Sequence, residues 1–193
     1  MTKSPDNVAA PNLPWYTPIQ DPPAGTVLRG LTANNDQPPK FRPSTIPKLF
    51  QPLTLRSQTF HNRLWVSPMC QYSADEGHLT PYHFVHLGNL AYRGPGLVMI
   101  EASAVVAEGR ITPQDSGIWD DSHIEPIRKV VEFAHGMGQK IGIQLAHAGR
   151  KASMVAPWLG THLAYEDVKG WPDNVWGPTD GTYRFTPAFL NFC

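Results

Sequence analysis

The sequence predicts an α/β fold in which a parallel sheet alternates with helices, as in the opening units of a βα barrel. Three short apolar segments with strand character alternate with two segments of helical periodicity. The predicted strands carry near-continuous Val, Leu and Ile, which is typical of parallel strands covered by helices on both faces. Each strand ends in polar, reactive or small residues, and in a barrel such ends meet at the catalytic rim. We therefore expect a site at that rim.

The first predicted strand covers residues 63–67 (RLWVS) and stops at Pro68. Proline donates no backbone hydrogen bond and restricts the residue before it, so an apolar run that meets it ends there. The loop that follows carries a thiol, Cys70, and a phenol, Tyr72, close together. This loop is the chemically most informative part of the chain.

The first predicted helix covers 81–92, because its apolar residues recur at spacings of three and four. These residues are Phe84, Leu87 and Ala91. A Gly-Pro-Gly cluster at 94–96 ends the helix. The second predicted strand is 97–100, and it leads into the small and polar residues 101–104 (EASA).

The second predicted helix begins at a capping box formed by Ser122 and Glu125, in which the two side chains satisfy amide groups left free at a helix start. An apolar stripe at helical spacing follows it: Ile124, Ile127, Val131 and Ala134. Gly136 and Gly138 end this helix.

The third predicted strand covers 140–145 (KIGIQL). It leads into a basic loop end formed by His147, Arg150 and Lys151. These side chains fit two interpretations equally well, attraction of a nicotinamide phosphate or simple solvation.

The 193-residue chain divides into two parts by composition. The first 47 residues hold ten of the twenty prolines and show no sustained apolar periodicity, so we assign 1–47 as a Pro-rich N-terminal extension and 48–193 as the α/β part. A closed βα barrel needs eight strand-helix units in roughly 250 residues. We therefore expect only the first three or so units, a truncated half-barrel. Beyond Ala152 the chain is dense in Trp, Gly, Pro and Asp, without a new periodic element.

Charge and hydropathy exclude several classes of partner. Lys plus Arg and Asp plus Glu both total 16, and no basic stripe is present, so neither nucleic acid nor an anionic membrane is predicted as a partner. The N-terminus lacks the apolar core of a signal peptide, and no stretch approaches about 18 consecutive apolar residues. A cytoplasmic setting follows. In that reducing compartment Cys70 and Cys193 are expected as free thiols rather than as a disulfide.

Three histidines invite a metal-site interpretation, since His83 and His86 share a helix face and His78 lies just upstream. Their spacing is loose, and no cysteine or acidic residue completes a ligand set. A helical histidine is more often packed or hydrogen-bonded. We predict no metal.

Seven segments of the chain carry a resemblance to a known family: 49–53, 61–63, 67–72, 75–80, 101–105, 109–112 and 142–151. In their order and spacing they resemble the Old Yellow Enzyme family, and within it the thermophilic-like branch. The resemblance extends from about residue 48 to about residue 178. Several long motifs in register are far more specific than one short pattern. The members of this family are FMN-dependent ene-reductases, so the resemblance implies a parallel (β/α)8 TIM barrel, of which this chain holds the N-terminal part.

The resemblance also implies roles for individual residues. The cofactor-binding candidates are Ser67, Pro68, Met69, Cys70, Ala102 and Gln144. Cys70 matches the thiol beside the flavin ring, Ala102 the small residue under that ring, and Gln144 the amide that bonds its pyrimidine edge. Tyr72 matches a phenol on the substrate side and is the candidate catalytic residue, because it could donate a hydrogen bond to the carbonyl of an activated alkene.

The implied chemistry has two half-reactions. NADPH or NADH reduces bound FMN, and the reduced flavin passes hydride to the β-carbon of an α,β-unsaturated carbonyl while an acid protonates the α-carbon. The family's substrate-binding His or Asn pair, its proton-donating tyrosine and its phosphate site belong to later elements that this sequence does not show. We therefore expect an N-terminal fragment of an FMN-dependent NAD(P)H oxidoreductase for a small enone-type substrate, and a homo-oligomer is left open for the full-length form. The alternative is a non-catalytic truncated product that needs a partner chain or does not fold.

Each site residue also has a purely structural interpretation. Cys70 could be a small buried hydrophobe, and Tyr72 could be a packed ring with its hydroxyl in water. Gln144 lies in a strand expected to be buried, where an amide needs a partner, so the functional interpretation is favoured there. An alanine alone indicates no function, so the proposed role of Ala102 depends on the motif around it.

Overall fold

A computed structural model gives the structure of the chain and describes residues 8–27, 46–160 and 162–178. Its strands and helices are β1 (Leu53–Leu55), β2 (Gln58–Phe60), β3 (Trp65–Val66), α1 (Pro81–Tyr92), β4 (Leu97–Ala104), α2 (Ile124–Gly136) and β5 (Ile141–Ala146). From β3 onward, strand and helix alternate as predicted. Among the described residues no helix is long and apolar enough to cross a membrane.

Three strands form a sheet in the order β3, β4, β5. Strand β3 pairs in parallel with β4, with Val66 opposite Val98. Strands β4 and β5 also run in the same direction, because Val98 N donates to Lys140 O (3.0 Å) and, farther along both strands, Val105 N donates to Ala146 O (3.1 Å). The predicted parallel α/β sheet is confirmed, and its membership of a half-barrel stays a prediction.

The described residues pack as two compact units. The first contains the described residues up to Ser67 together with Val85–Met99 and Lys129–Gly142. The second contains Pro68–Phe84, Ile100–Arg128 and the described residues from Ile143 onward. Six candidate site residues belong to the second unit: Pro68, Met69, Cys70, Tyr72, Ala102 and Gln144. The seventh, Ser67, belongs to the first unit.

A buried asparagine organises the first unit. The Asn62 Nδ2 donates to the carbonyl oxygens of Gly25 (3.1 Å) and Gly94 (2.8 Å), while its Oδ1 accepts from Leu64 N (3.0 Å) and Gly96 N (2.7 Å). A buried amide with all its groups bonded ties distant backbone segments together without a desolvation penalty. Part of the Pro-rich extension is therefore bonded to this unit, and its boundary at residue 47 stays a prediction.

Strand β4 is longer than predicted. Residues 101–104, the small and polar residues that follow the predicted strand, continue it, because β5 pairs beside β4 as far as Val105 and the segment 116–118 pairs with Ala104. Ala104 N donates to Ser116 O and Ile118 N donates to Ala104 O, both at 2.9 Å. This long-range pairing left no trace in the local pattern of small and polar residues.

The start of α2 is capped differently from the prediction. A 3-10 turn, Asp121–His123, precedes the helix, and its cap is Asp120, whose Oδ1 accepts from Ser122 N (2.9 Å). The prediction of Ser122 as the cap is wrong, since its hydroxyl instead lies 2.8 Å from the Nε2 of His78. The helix ends at Gly136, as expected, and Gly138 adopts a φ of 72° beyond it.

Two further features differ from expectation. The antiparallel hairpin of β1 and β2 was not predicted, because its strands have only three residues each and its turn places Arg56, rather than glycine, at a φ of 52°. Strand β5 is not buried on both faces: Gln144 is exposed and Leu145 is 62% exposed. The reason is that β5 lies at the edge of the described sheet.

Candidate active site

The loop that follows β3 carries most of the candidates. Ser67 is exposed, Pro68 is half-buried and Met69 is 49% exposed. Cys70 and Tyr72 are both half-buried. The chain thus delivers the thiol and the phenol into a partly open loop, as its proline-terminated strand predicts.

The structure brings Cys70 and Ala102 together. The backbone of Ala102 lies close enough to the Cys70 thiol to lower the pKa of that thiol on its own. Burial has the larger effect and, with the negative charges of Asp115 and Glu101, raises the pKa of Cys70 to about 11. Cys70 is therefore a neutral thiol at physiological pH, a soft and polarisable group rather than a nucleophile. It is a free cysteine, and Cys193 lies outside the described residues.

Ala102 lies near the end of β4 and is half-buried, whereas its neighbours Glu101 and Ser103 are buried. Because side chains alternate across a strand, the small methyl group of Ala102 points to the opposite face from those two polar side chains. Its carbonyl oxygen accepts from the Ser116 Oγ (3.0 Å), which fixes the backbone at this position. Ala102 thus places a small side chain near the neutral thiol of Cys70.

Gln144 lies in β5, and its side chain is exposed. The argument that it is a buried amide in need of a partner is therefore wrong. An exposed amide on an edge strand is accessible to a ligand, and its donors and acceptors suit the edge of a heterocycle. Its proposed role thus depends on the resemblance and on this accessibility.

Tyr72 has an uncommon backbone conformation and an aromatic neighbour. Its φ is 51°, in the left-handed region that a non-glycine residue rarely adopts. Its ring meets that of Trp158 edge to face. Sequence reasoning missed Trp158, which stood in a segment recognised only by its density of Trp, Gly and Pro.

A second missed feature lies beneath this loop. Glu101 is 2% exposed, and its Oε1 accepts from the backbone amide of Gln71 (3.0 Å). Its Oε2 lies 3.6 Å from the Nε2 of His83, which is completely buried. A carboxylate inside an otherwise apolar strand was the sequence signal that could have found this pair.

Asp115 lies near the same thiol. Its two carboxylate oxygens accept from Ile111 N and from the Thr112 hydroxyl, both at 2.8 Å. Burial nevertheless raises the pKa of Asp115 to about 6, because these hydrogen bonds only partly offset the loss of hydration. This carboxylate therefore titrates much closer to neutrality than an ordinary aspartate.

Arg110 is held between two indole rings. Its guanidinium carbon lies 5.1 Å from the centroid of Trp119 and 4.7 Å from that of Trp171. Burial lowers the pKa of Arg110, and Glu76 opposes that effect. Arg110 is thus a packed structural cation.

No group of three or more His, Cys, Asp or Glu residues in the described part of the chain could hold a metal ion. His83 faces Glu101, and the ring of His78 lies 4.4 Å from that of His123. The two histidines thus have neighbours of their own within the fold.

The residues present fit the flavin that the resemblance implies. Ala102 offers a small side chain, Cys70 a neutral thiol beside it, and Gln144 an exposed amide. The structure brings Cys70 and Ala102 into contact. The roles of all the cofactor-binding candidates, and of Tyr72, stay predictions.

Comparison with known proteins places these features in a family context. The sequence profile of the NADH:flavin oxidoreductase / NADH oxidase family matches residues 48–158. An NADH:flavin oxidoreductase from Gibberella zeae is 52% identical over 175 residues, which are 90% of this chain and 39% of that protein. An NADPH dehydrogenase from Bacillus subtilis is 53% identical over 109 residues, 55% of this chain and 32% of that protein.

Solved structures agree with the sequence matches. The old yellow enzyme from Trypanosoma cruzi has a TM-score of 0.51 and 33% sequence identity, over 55% of this chain and 28% of its own. The chain thus spans 39% or less of the length of each of these relatives. The similarity covers the sheet and the candidate site.

Proposed function

The chain belongs to the NADH:flavin oxidoreductase / NADH oxidase family, and from that membership we propose that it forms the N-terminal part of an FMN-dependent NAD(P)H oxidoreductase. Its substrates are activated alkenes, small α,β-unsaturated carbonyl compounds. The observation that carries the proposal is that the Cys70 thiol lies beside the Ala102 backbone, because this brings together the two residues proposed to flank the flavin. The Old Yellow Enzyme resemblance is confirmed for this N-terminal part.

In the proposed reaction, FMN supplies a two-electron carrier between the reduced nicotinamide and the alkene. Cys70 contributes a neutral sulfur beside the ring and so adjusts how easily the flavin is reduced. Ala102 leaves space for the ring plane, where any larger side chain collides with it. By the resemblance, Ser67, Pro68 and Met69 would contact the flavin through their backbone groups.

Tyr72 acts on the substrate in this proposal. Its phenol donates a hydrogen bond to the carbonyl oxygen of the substrate, which stabilises the negative charge that develops there as hydride arrives at the β-carbon. Gln144 binds the pyrimidine edge of the flavin through its amide. The proton for the α-carbon comes from a residue outside the elements described here.

The proposed function also includes the reductant, the cellular setting and the kind of partner. NADPH or NADH is the reductant, and the basic residues His147, Arg150 and Lys151 are available to attract its phosphates. The proposal keeps a cytoplasmic setting and a small-molecule substrate, with no nucleic acid or membrane as partner. It leaves open a homo-oligomer of the full-length form.

A hybrid protein tests the proposal. We define the hybrid as this chain followed by the remaining C-terminal part of the Gibberella zeae relative. The hybrid is expected to bind FMN and to couple NADPH oxidation to reduction of cyclohexenone, measured by absorbance and product analysis. A folded hybrid that retains flavin yet leaves cyclohexenone untouched contradicts the proposed substrate class, and one that never retains flavin contradicts the proposed cofactor site.

The chain alone, without the C-terminal part of the relative, is the control for the hybrid. By resemblance, the phosphate-binding loops belong to later elements, so we expect FMN to bind the chain alone weakly or not measurably in a fluorescence titration. Submicromolar affinity contradicts this expectation. The exposed edge of β5, with Leu145 on it, favours the alternative that the chain functions by docking onto a partner chain. Restored flavin binding when the C-terminal part is supplied as a separate chain supports that alternative.

A further inference from the structure

A buried carboxylate lies under the loop that carries Cys70 and Tyr72, and none of the roles proposed above uses it. Glu101 is 2% exposed within β4. A buried carboxylate destabilises a fold unless hydrogen bonds compensate its lost hydration. Its Oε1 accepts a charge-assisted hydrogen bond from the backbone amide of Gln71 (3.0 Å), the residue between Cys70 and Tyr72.

The second oxygen of this carboxylate faces a histidine. The Glu101 Oε2 and the His83 Nε2 are 3.6 Å apart, and His83 is completely buried in α1. Neither atom has a hydrogen-bond partner in the described part of the chain. Each of these two buried polar atoms thus has the other as its nearest compensating group.

The other ring nitrogen of His83 has a hydrogen-bond partner of its own. His83 Nδ1 accepts from the backbone amide of Thr80 (3.0 Å), and a backbone amide can only donate. With Nδ1 accepting this bond, Nε2 is the ring nitrogen that presents an N–H toward the carboxylate. The imidazole thus faces the carboxylate across 3.6 Å, which is longer than a hydrogen bond.

The carboxylate of Glu101 holds the backbone next to Tyr72, a residue in an unfavourable backbone conformation. Tyr72 has a φ of 51°, which disfavours a residue with a Cβ. The side chain of the preceding residue, Gln71, is bonded near the surface, where its Oε1 accepts from the Tyr82 hydroxyl (3.0 Å). The carboxylate of Glu101 binds the backbone itself.

We propose that Glu101 and His83 are positioning residues: the imidazole orients the carboxylate, and the carboxylate holds the Gln71 amide and so fixes the directions in which Cys70 and Tyr72 leave the backbone. The consequence for catalysis rests on the proposed function. The positioning itself does not, because the experiment below gives the same readout whether or not flavin binds.

Amide hydrogen exchange of Gln71 in the full chain, followed by NMR, tests the pair directly. In Glu101→Ala we expect this amide to exchange at least a hundredfold faster than in the wild type. In Glu101→Gln, which retains an acceptor but no charge, we expect about a tenfold increase. In His83→Leu we expect a severalfold increase, and His83→Gln, which restores a donor toward the carboxylate, should reverse most of it.

Two controls separate positioning from general destabilisation. The Ala74 amide, which donates to Gln114 O (2.8 Å), reports on opening of the same unit and should exchange at the wild-type rate. Glu125→Gln changes an exposed carboxylate in α2 and should leave both amides unchanged. If Glu101→Ala does not fold, Glu101→Gln and His83→Leu decide the question. Equal acceleration of the Gln71 and Ala74 amides, or no acceleration of Gln71, overturns the proposal.

Discussion

Tyr72 packs edge to face against Trp158, with ring centroids 5.4 Å apart and ring planes at 80°. Trp158 lies in the 3-10 turn Pro157–Leu159 and is 68% exposed. Edge-to-face pairs add about 0.5 to 1.5 kcal/mol beyond the area they bury. The Trp-rich segment that follows Ala152 therefore contributes, through Trp158, to the surroundings of Tyr72.

The first prediction concerns the ionisation of Cys70. Burial, assisted by Asp115 and Glu101, raises the pKa of this thiol to about 11, so little thiolate exists near neutrality. In a Cys193→Ser background, where Cys70 is the remaining thiol of the chain, alkylation by iodoacetamide at pH 7.5 should be about a hundredfold slower than in an unfolded peptide. The rate should still rise about tenfold per pH unit up to pH 10. A plateau below pH 9 contradicts the raised pKa, and the urea-unfolded chain is the matched control.

The second prediction concerns stability against pH at Asp115. Burial raises its pKa to about 6, so between pH 4 and 6 the folded state binds a proton that the unfolded state has released. Stability falls with rising pH wherever the folded state binds more protons. Relative to Asp115→Asn, which does not titrate, the wild-type free energy of unfolding should fall by about 2 to 3 kcal/mol from pH 3 to pH 7.

Urea unfolding at several pH values measures this difference. Asp115→Asn is the matched reference because an amide, like the protonated carboxyl group, is neutral and keeps one acceptor oxygen for the partners Ile111 N and the Thr112 hydroxyl. The wild-type curve should therefore fall relative to that of the variant as the pH rises. Parallel curves show that Asp115 titrates as an ordinary aspartate.

Local sequence patterns predicted the elements whose causes are local. Helix α1 has the predicted bounds because its apolar spacing and its breakers lie within the same few residues. Strand β4 was predicted too short because the pairing of Ala104 with the segment at Ser116 depends on chain that follows it. The predicted cap of α2 was misplaced by two residues, since Asp120 caps a 3-10 turn that precedes the helix.

The candidate site shows the same division. The end of the first predicted strand drew attention to Cys70, the resemblance added Ala102, and the structure places the two close together. Glu101, His83 and Trp158 were not found, because their roles arise from packing between segments far apart in sequence. Gln144 was chosen partly for burial that an edge strand does not provide.

The third prediction tests the space beside Ala102 in the hybrid protein. Ala102→Trp should abolish flavin retention, because a bulky ring would occupy the place proposed for the isoalloxazine, while circular dichroism should show an intact fold. Val105→Trp is the matched control, since Val105 follows the end of the same strand and is exposed. It should retain flavin at the level of the unmodified hybrid. Equal flavin content in the two variants removes Ala102 from the proposed site.

The last prediction separates Cys70 from Tyr72, which leave the same loop with different proposed roles. In the hybrid, Cys70→Ser should mainly shift the flavin reduction potential, because a hydroxyl replaces a polarisable sulfur beside the ring without removing a substrate contact. Tyr72→Phe should leave the potential nearly unchanged, since its edge-to-face contact with Trp158 needs only the ring.

Loss of the Tyr72 hydroxyl should instead slow alkene reduction. Removing one hydrogen bond to a polarised carbonyl costs about 1 to 3 kcal/mol, which corresponds to roughly a tenfold to hundredfold lower rate. Potentiometry and stopped-flow kinetics with cyclohexenone measure the two effects separately. Because both variants keep nearly the same side-chain volume, a change of loop structure should affect them alike. A shifted potential in Tyr72→Phe at an unchanged rate of alkene reduction therefore means that the roles of the two side chains are reversed.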